Sequence, residues 1–422
     1  MINFNKIALC TGCLVTLFTL SGCSAEAVQQ ESIKEMPTSS GSDMHNIARA
    51  NNGFAFDMYH QLNKNNQNLF FSPLSISEAL AMTYVGAGGK TKSEMAAVLH
   101  FKMSDYHLKY AFKGLDSQLK SFNRAEDYTL RTANAIWPEK SFSIKKSFAD
   151  DVKMYFSSKS SAMDYKNNAG GAKNSINNWI AKQTNNRILN IIPSIDPSTK
   201  LILTNAVYFK AKWLHEFPQK ETDKKTFYLQ NATETQVDMM HQSMYFKYAE
   251  GSDYQAVVLP YKTRGTSMVV ILPHKGRYDR VVSKLGRHTL DSINKKASTE
   301  YKVVLSLPKF KITTETMDLV GDFKALGMKS AFKNSADFSG ISNDKGLEIT
   351  QILHKSFIEI SEKETEAAAS TVVMVGVTSA GPYAPPPPKI KVVNVNRPFI
   401  VIIKDEESGQ ILFMGNIVDP KK

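Results

Sequence analysis

The residue types that carry out most enzymatic chemistry are scattered in this chain of 422 residues. The sequence has no Gly-x-Ser-x-Gly nucleophile elbow, no His-Glu-x-x-His zinc motif and no cluster of cysteines and histidines. Nine histidines are spread along the chain, and we expect His354, in the segment His354–Ile360, to be a hydrogen-bonded core residue. These absences argue against a serine hydrolase with that elbow and against a zinc enzyme with that motif, and we expect no metal or other cofactor.

The most informative stretch is residues 362–381, which reads EKETEAAASTVVMVGVTSAG. From Thr365 to Val377 it has no proline, lysine or arginine and one carboxylate, Glu366. Alternate residues of a strand lie on opposite faces. One face here would carry small or β-branched residues, namely Thr365, Ala367, Ala369, Thr371, Val373 and Val375. The other face would carry the charged residues Glu364 and Glu366, together with Ala368, Ser370, Val372, Met374 and Gly376. This pattern predicts an amphipathic strand with one face fit for burial.

The residues that follow this stretch favour an exposed loop. Gly381-Pro382-Tyr383-Ala384 precedes the four prolines 385–388. Proline has no N–H for a sheet and favours extended polyproline II structure. Two interpretations stay open from the pattern alone: a core strand followed by a loop, or a loop that can become a strand.

The flanking segments resemble the serpin family. The matching motifs are the His-Lys strand at His354, the Glu-x-x-Thr-Glu-Ala-Ala-Ala hinge from Glu362, Arg397-Pro398-Phe399, and Ile411–Gly415, all in serpin order. Further matches are spread over residues 45–420. The resemblance implies an α+β serpin fold, with helices around three β-sheets, a large central sheet and a reactive-centre loop at about 362–390. Leu201–Lys210 is nearly all apolar and should lie centrally in a covered sheet.

The resemblance implies that the protein is not an enzyme but a suicide substrate of serine proteases, and of some cysteine proteases. A protease would cut the loop, remain attached as an acyl-enzyme and be trapped when the loop inserts into the central sheet. In the usual serpin frame the reactive bond is Thr378–Ser379, with Val377–Thr378 one register earlier. Small or β-branched residues suit elastase-like or subtilisin-like proteases. A second bond, Tyr383–Ala384, could also be exposed because the segment up to Pro398 is long.

The resemblance also assigns structural roles in the insertion. A shutter of Ser72, Ser75, Asn205 and His354 would hydrogen-bond across the strands that must part, and Trp213 would lie at the breach where insertion begins. The hinge would comprise Glu362, Lys363, Glu364, Thr365, Glu366, Ala367, Ala368, Ala369, Ser370 and Thr371.

One hinge residue departs from the family pattern. Serpins with working hinges usually have glycine where Glu364 stands, and a charge there could block insertion. Glu364 shares the outward face with Glu366, however, which favours an inhibitor. The alternatives are a non-inhibitory serpin and a lipoprotein that binds polyanions or surfaces.

The N-terminus is expected to be a targeting segment. Lys6 precedes the apolar run Ile7–Gly22, which is too short for a comfortable membrane span. Leu20-Ser21-Gly22-Cys23 resembles the lipobox of bacterial lipoproteins. We therefore expect a signal peptide at 1–22, a lipid on Cys23, a flexible tether at 23–44 and a serpin domain at 45–422. The protein would be exported and anchored through its lipid in the outer membrane, facing the periplasm or the surface.

The net charge of +12 is spread along the chain without a block of consecutive lysines and arginines. Such a distribution predicts solvated faces rather than a nucleic-acid-binding arm. We expect no nucleic-acid partner and a monomer, whose partners are proteases and, through the lipid, a membrane.

Overall fold

The computed structural model describes residues 41–64, 67–123, 127–231, 233–263, 265–363 and 388–421. Helices in these ranges are, in chain order, α1 (Gly41–Leu62), α2 (Pro73–Tyr84), α3 (Gly89–Val98), α4 (Asp105–Phe122), α5 (Lys146–Phe156), α6 (Tyr165–Gln183), α7 (Tyr278–Lys284), α8 (Arg287–Lys296) and α9 (Val320–Leu326). None of them is both long and apolar enough to cross a membrane.

The strands are, in chain order, β1 (Leu69–Phe71), β2 (Tyr128–Pro138), β3 (Lys159–Ser160), β4 (Leu201–Ala211), β5 (Asp223–Tyr228), β6 (Glu234–Met244), β7 (Lys247–Glu250), β8 (Tyr254–Pro260), β9 (Thr266–Pro273), β10 (Tyr301–Pro308), β11 (Phe310–Thr313), β12 (Met317–Asp318), β13 (Gln351–Ile360), β14 (Lys389–Asn394), β15 (Phe399–Asp405) and β16 (Ile411–Ile417).

These strands form three sheets. The sheet that concerns function has the order β11-β13-β4-β2-β3, with β12 also paired to β13. A second sheet has the order β1-β16-β15-β9-β8-β7, and a third the order β14-β10-β6-β5. The predicted α+β class with helices around three sheets is therefore confirmed.

Strand β4 lies inside its sheet and is covered on both faces, as its apolar sequence predicts. Every residue except Lys210 is buried. Ile202, Ala206 and Tyr208 pack into one apolar cluster, while Leu203 and Phe209 belong to the other. The alternation of the strand thus gives each cluster one set of side chains. Such a strand has no exposed face, which explains why the polar residues within it must find partners inside the protein.

Helix α2 carries polar residues into the core beneath this sheet. Ser72 caps its N-terminus, accepting a hydrogen bond from the Ser75 backbone N–H at 3.3 Å, and Pro73 occupies the first turn. Both features are typical of helix starts. All twelve residues of α2 are buried. Ser75 and Glu78 are three positions apart and therefore lie on the same face of the helix.

Helix α1 begins earlier than expected. Residues 41–44, which the sequence analysis placed in the tether, form its first turn. Asp43 lies in that turn, where the helix dipole favours a carboxylate, and its Oδ2 is 3.0 Å from Nδ1 of His107 in α4. The contact with α4 holds the first turn in place. Periodicity placed the start near His45 because residues 41–43 are polar or small and only Met44, directly before it, is apolar.

Candidate functional site: a closed pair of parallel strands

Strands β4 and β13 lie side by side as a parallel pair. Seven residue pairs join them, from Gln351 opposite Ile202 to Phe357 opposite Tyr208. The last residues of β13 lie beyond this ladder and pair with β11 on their other side, Ile360 lying opposite Phe310. The two strands are thus joined in the middle of the sheet and are not joined where β13 ends.

The direction of the strands determines what could enter between them. A segment that follows β13 must turn back after Ile360, so it would run antiparallel to both β13 and β4. One parallel ladder would then be replaced by two antiparallel ladders. Antiparallel pairing is slightly more stable per residue, and the number of backbone hydrogen bonds would rise. The closed pair is therefore a place where the sheet can gain a strand.

A buried side-chain pair joins the middle of the two strands. His354 and Asn205 lie directly opposite each other, and the His354 Nδ1 atom hydrogen-bonds with Asn205 Oδ1. The other ring nitrogen, Nε2, accepts from the Ser72 backbone N–H at 3.3 Å. Because Nε2 accepts, the proton of a neutral ring must be on Nδ1, which donates to Asn205.

The imidazole of His354 is held in its neutral form. The residue is fully buried, and burial lowers its pKa to about 3 against a weaker opposing effect of the hydrogen bond with Asn205. A neutral ring has one donor and one acceptor, and both are used here. Through its two nitrogens the ring joins β13 to a second strand and to the cap of α2.

Asn205 extends the network to the next strand and to α2. Its Nδ2 donates to Ser75 Oγ and to Oδ1 of Asn134, which lies opposite it on β2. Ser75 Oγ also donates to Asn134 Oδ1 at 3.1 Å. Ser72 Oγ donates to the carbonyl oxygen of Leu412 in β16 at 2.7 Å. The structure thus brings the four expected shutter residues together and adds Asn134.

Sequence reasoning missed Asn134, although a signal was present. It is a lone polar residue in the apolar run Ala133–Pro138, and it is 3 % exposed. Buried amides need partners, so a lone amide in an apolar strand indicates a polar contact inside the sheet. What the sequence could not supply is the register that places it opposite Asn205.

The end of β13 is held by Trp213 and its neighbours. The Trp213 indole N–H donates to the Ser361 carbonyl oxygen at 2.9 Å, and the Phe217 backbone N–H donates to the Glu362 carbonyl oxygen at 2.8 Å. Trp213 is buried and stacks on Tyr261, with 4.7 Å between ring centroids. The backbone that leaves β13 is therefore fixed at the position assigned to the breach.

Glu362, the first residue of the predicted hinge, is fixed by its side chain as well. Glu362 Oε2 lies 2.9 Å from Lys309 Nζ, and Thr222 Oγ1 donates to Oε1 at 2.8 Å. Burial alone would raise the pKa of this carboxyl, but hydrogen bonds from Lys309, from the Glu362 backbone and from Thr222 outweigh burial and lower it. The group is therefore an ionised carboxylate in a buried position. Neither Lys309 nor Thr222 was predicted to contact the hinge.

The remaining predicted positions lie outside the described residues. Lys363 is the last described residue before the loop, and the chain is described again from residue 388, just before β14. The amphipathic strand, the bonds Val377–Thr378, Thr378–Ser379 and Tyr383–Ala384, and Cys23 fall outside, as do the hinge residues Glu364, Thr365, Glu366, Ala367, Ala368, Ala369, Ser370 and Thr371.

Comparison with known proteins identifies the family to which these features belong. The family described as "Serpin (serine protease inhibitor)" matches residues 49–420. The chain belongs to the serpin family. Serpins are generally protease inhibitors rather than catalytic enzymes, and the predicted family and serpin fold are confirmed.

Relatives and solved structures agree with this assignment. An uncharacterized serpin-like protein of Thermococcus kodakarensis is 41% identical over 377 residues, covering 89% of this chain and 86% of the relative. Human serpin B3 is 33% identical over 400 residues, covering 89% and 100%. The crystal structure of the thermophilic serpin tengpin in its native state superposes with a TM-score of 0.79 at 29% identity, covering 90% and 95%.

Proposed function

We propose that this serpin inhibits serine proteases as a suicide substrate. The observation that carries the proposal is the closed pair of β4 and β13, joined by buried side chains in its middle and followed directly by a hinge whose first residue is anchored. Cleavage in the loop frees one end of the segment after Glu362. That segment can then turn back and enter between the two strands.

Entry of the loop is favourable for two physical reasons. The sheet exchanges one parallel ladder for two antiparallel ladders. Burial of the small inward face, which includes Ala367, Ala369, Val373 and Val375, removes apolar surface from water at about 25 cal/mol per Å². The intact loop cannot reach this state because both of its ends are tied to the sheets.

We place the cut near residue 378 because of the length and composition of the segment that would insert. Glu362 to Thr378 would span roughly 55 Å as a strand at about 3.3 Å per residue. A protease attached to Thr378 would be carried along the sheet by that distance. A cut at Met374 shortens the segment, and a cut at Tyr383 places Pro382 inside it, where proline cannot donate to the ladder.

We further propose that the targets are elastase-like or subtilisin-like serine proteases and that cysteine proteases can be trapped in the same way. The residues at the proposed bond, Val377, Thr378 and Ser379, are small or β-branched and carry no positive charge for a trypsin-like pocket. The protease supplies the nucleophile, and the serpin supplies the carbonyl that is attacked.

We also propose that the protein is a lipoprotein. A lipid on Cys23 would anchor a monomeric serpin to the outer membrane of a bacterium through the tether that follows it. The support is the sequence Leu20-Ser21-Gly22-Cys23 after a short apolar run. Intact-mass analysis of the membrane fraction tests this part; a chain cut elsewhere, with unmodified Cys23, would overturn it.

The test of inhibition is incubation with elastase-, subtilisin-, chymotrypsin- and trypsin-like proteases, followed by denaturing electrophoresis. We expect denaturation-resistant complexes with the first two classes, and a released C-terminal peptide that begins at Ser379 or Thr378. Clean cleavage that leaves every protease active would show a non-inhibitory serpin. A peptide beginning at Ala384 from a stable complex would show that a longer segment inserts.

A further inference from the structure

A cavity of about 390 Å³ lies beside β2 and is lined by residues of α2, α4 and β2, together with Asn123, Ser157 and Gln183. Its apolar wall is formed by Leu74, Phe112, Leu115 and Leu119, all of them largely buried side chains. A cavity of this size falls within the range of small-molecule sites in proteins, which combine apolar walls with a few polar groups.

The polar group at the inner end of the cavity is Glu78. It lies on the fully buried helix α2 and is 6 % exposed. Its Oε2 accepts a hydrogen bond from Asn134 Nδ2 at 2.8 Å. The ion pair of this region joins Lys120 to Asp116 at 2.7 Å, so in the described part of the chain Glu78 has a hydrogen-bond donor but no cation in contact.

The surroundings of Glu78 favour its neutral form in the free protein. Burial, with a smaller effect of the Asp116 charge, raises its pKa to about 8, against opposing effects of Lys120 and the Asn134 hydrogen bond. Arg131, the other charged residue lining the cavity, is exposed. A cation that entered would provide the partner that a buried carboxylate needs.

We propose that this cavity binds a small amphipathic cation, with an ammonium group paired to Glu78 and an aryl or alkyl group against Leu74, Phe112 and Leu115. An uncharged molecule would leave Glu78 with the Asn134 hydrogen bond alone. Of the two cations that line the cavity, Lys120 is paired with Asp116 and Arg131 is exposed, so an anion at the inner end would face Glu78 without a free cation beside it. Arylalkyl ammonium ions therefore fit the site best. This binding would be an activity in addition to protease inhibition.

The site is linked to the closed strand pair through one side chain. Asn134 donates to Glu78 through Nδ2, while its Oδ1 accepts from Ser75 and Asn205. An ionised Glu78 would make a stronger hydrogen bond to this amide and hold its orientation. Occupation of the cavity is therefore transmitted to the residue opposite His354.

Calorimetric titration of the intact full-length protein with phenethylammonium chloride tests the proposal. We expect saturable binding of one ion, and at least tenfold weaker binding of 2-phenylethanol and of phenylacetate. At about pH 7 binding should release close to one proton from Glu78, measured in two buffers of different ionisation enthalpy, and at about pH 9 close to none. No saturable binding, or tighter binding of phenylacetate, would overturn the proposal.

The matched variants are Glu78→Gln and Asp150→Asn. Gln keeps the shape and an acceptor for Asn134, so the variant should fold but bind the ammonium ion at least tenfold more weakly and without proton release. Asp150→Asn removes an exposed carboxylate that pairs with Lys146 and should leave affinity unchanged. Equal loss in both variants would contradict the site. If Glu78→Gln fails to fold, proton release by the natural protein still decides the question.

Discussion

Glu362 Oε2 lies 2.9 Å from Lys309 Nζ, and this ion pair ties the first residue of the hinge to the turn between β10 and β11. The carboxylate side is 8% exposed and the lysine side 35% exposed. The pair is therefore partly desolvated, and its carboxylate cannot turn to water if the lysine is lost. The backbone of Glu362 is held by the Phe217 N–H and its side chain by Lys309, so the chain is fixed at the point where it leaves β13.

Lys309→Met should destabilise the protein by about 1–3 kcal/mol, because it leaves a buried carboxylate with Thr222 as its remaining side-chain donor. Thermal and urea unfolding at about pH 7 measure the loss. Lys311→Met is the matched control: it removes an exposed lysine that lies 3.5 Å from Glu359, and it should cost less than about 0.5 kcal/mol. Equal losses in the two variants would show that Glu362 does not depend on Lys309.

The imidazole of His354 should remain neutral across the ordinary pH range. We expect its ring proton resonance to stay constant from about pH 8 to pH 5, whereas exposed histidines titrate near 6.5. The spectrum of His354→Gln identifies the resonance. A midpoint between about pH 6 and 7 would contradict the buried hydrogen-bonded ring.

The same shift has a consequence for stability, with a definite sign. The pKa of His354 is lowered to about 3 in the folded protein, so the unfolded chain takes up this proton first as the pH falls. The stability that the neutral ring contributes is complete above about pH 6.5 and is lost toward pH 3, at up to about 1.4 kcal/mol per pH unit. The contribution of Glu78 to stability changes with pH in the opposite direction. The ring resonance therefore reports the ionisation of His354 more clearly than the stability of the whole protein does.

Glu78 should make the protein less stable as the pH rises. Its pKa is about 8 when folded, against about 4.3 in an unfolded chain, so its contribution is complete below about pH 4.3 and is lost as the pH rises through 8. The melting temperature of Glu78→Gln minus that of the natural protein should therefore increase as the pH rises from about 5 to about 8. Above about pH 8 this difference should stay constant. A difference that is independent of pH would show that Glu78 is ionised throughout.

Much of the fold and part of the candidate site could be predicted from the sequence. Leu201–Lys210 is apolar at nearly every position, and the chain indeed buries it on both faces in β4. Ser72, Ser75, Asn205 and His354 could be named because the segments around them resemble serpins. Their hydrogen bonds required coordinates, since the residues are up to 282 positions apart.

The contacts that were missed depend on register and on distant segments. Asn134 joins the shutter because β2 pairs with β4 in the one register that places it opposite Asn205. Lys309 meets Glu362 across 53 positions of sequence. Glu78 carried a signal of its own, as a carboxylate followed directly by the apolar residues 79–82. Its cavity, however, is formed by two further elements.

Because neighbouring residues of the inserted strand would lie on opposite faces, substitutions at 364 and 365 should differ in their effect on inhibition. Thr365→Arg should convert the inhibitor into a substrate, because insertion would bury an unpaired guanidinium. Glu364→Arg, on the outward face, should do much less harm. The measurement is the number of inhibitor molecules consumed per protease inactivated. Equal effects of the two substitutions would show that the assignment of inward and outward faces is wrong.

The central claim is that the loop enters between β4 and β13, and a disulfide across that pair tests it. Ala206 lies opposite Lys355 on β13 and opposite Ala133 on β2. Neighbouring strands are within the span that a disulfide needs. A chain that starts at Ser24 has no native cysteine, so Ala206→Cys can be paired with Lys355→Cys as the lock, or with Ala133→Cys as the matched control.

The decisive measurement is the change in melting temperature when the loop is cut, with each disulfide oxidised or reduced. We predict that cutting the loop raises the melting temperature sharply in the control variant, whether its disulfide is oxidised or reduced, and in the lock variant when its disulfide is reduced. In the lock variant with an oxidised disulfide, cutting should leave the melting temperature unchanged. The account would be contradicted by an equal rise in the oxidised lock, since a strand could then be added without parting β4 from β13.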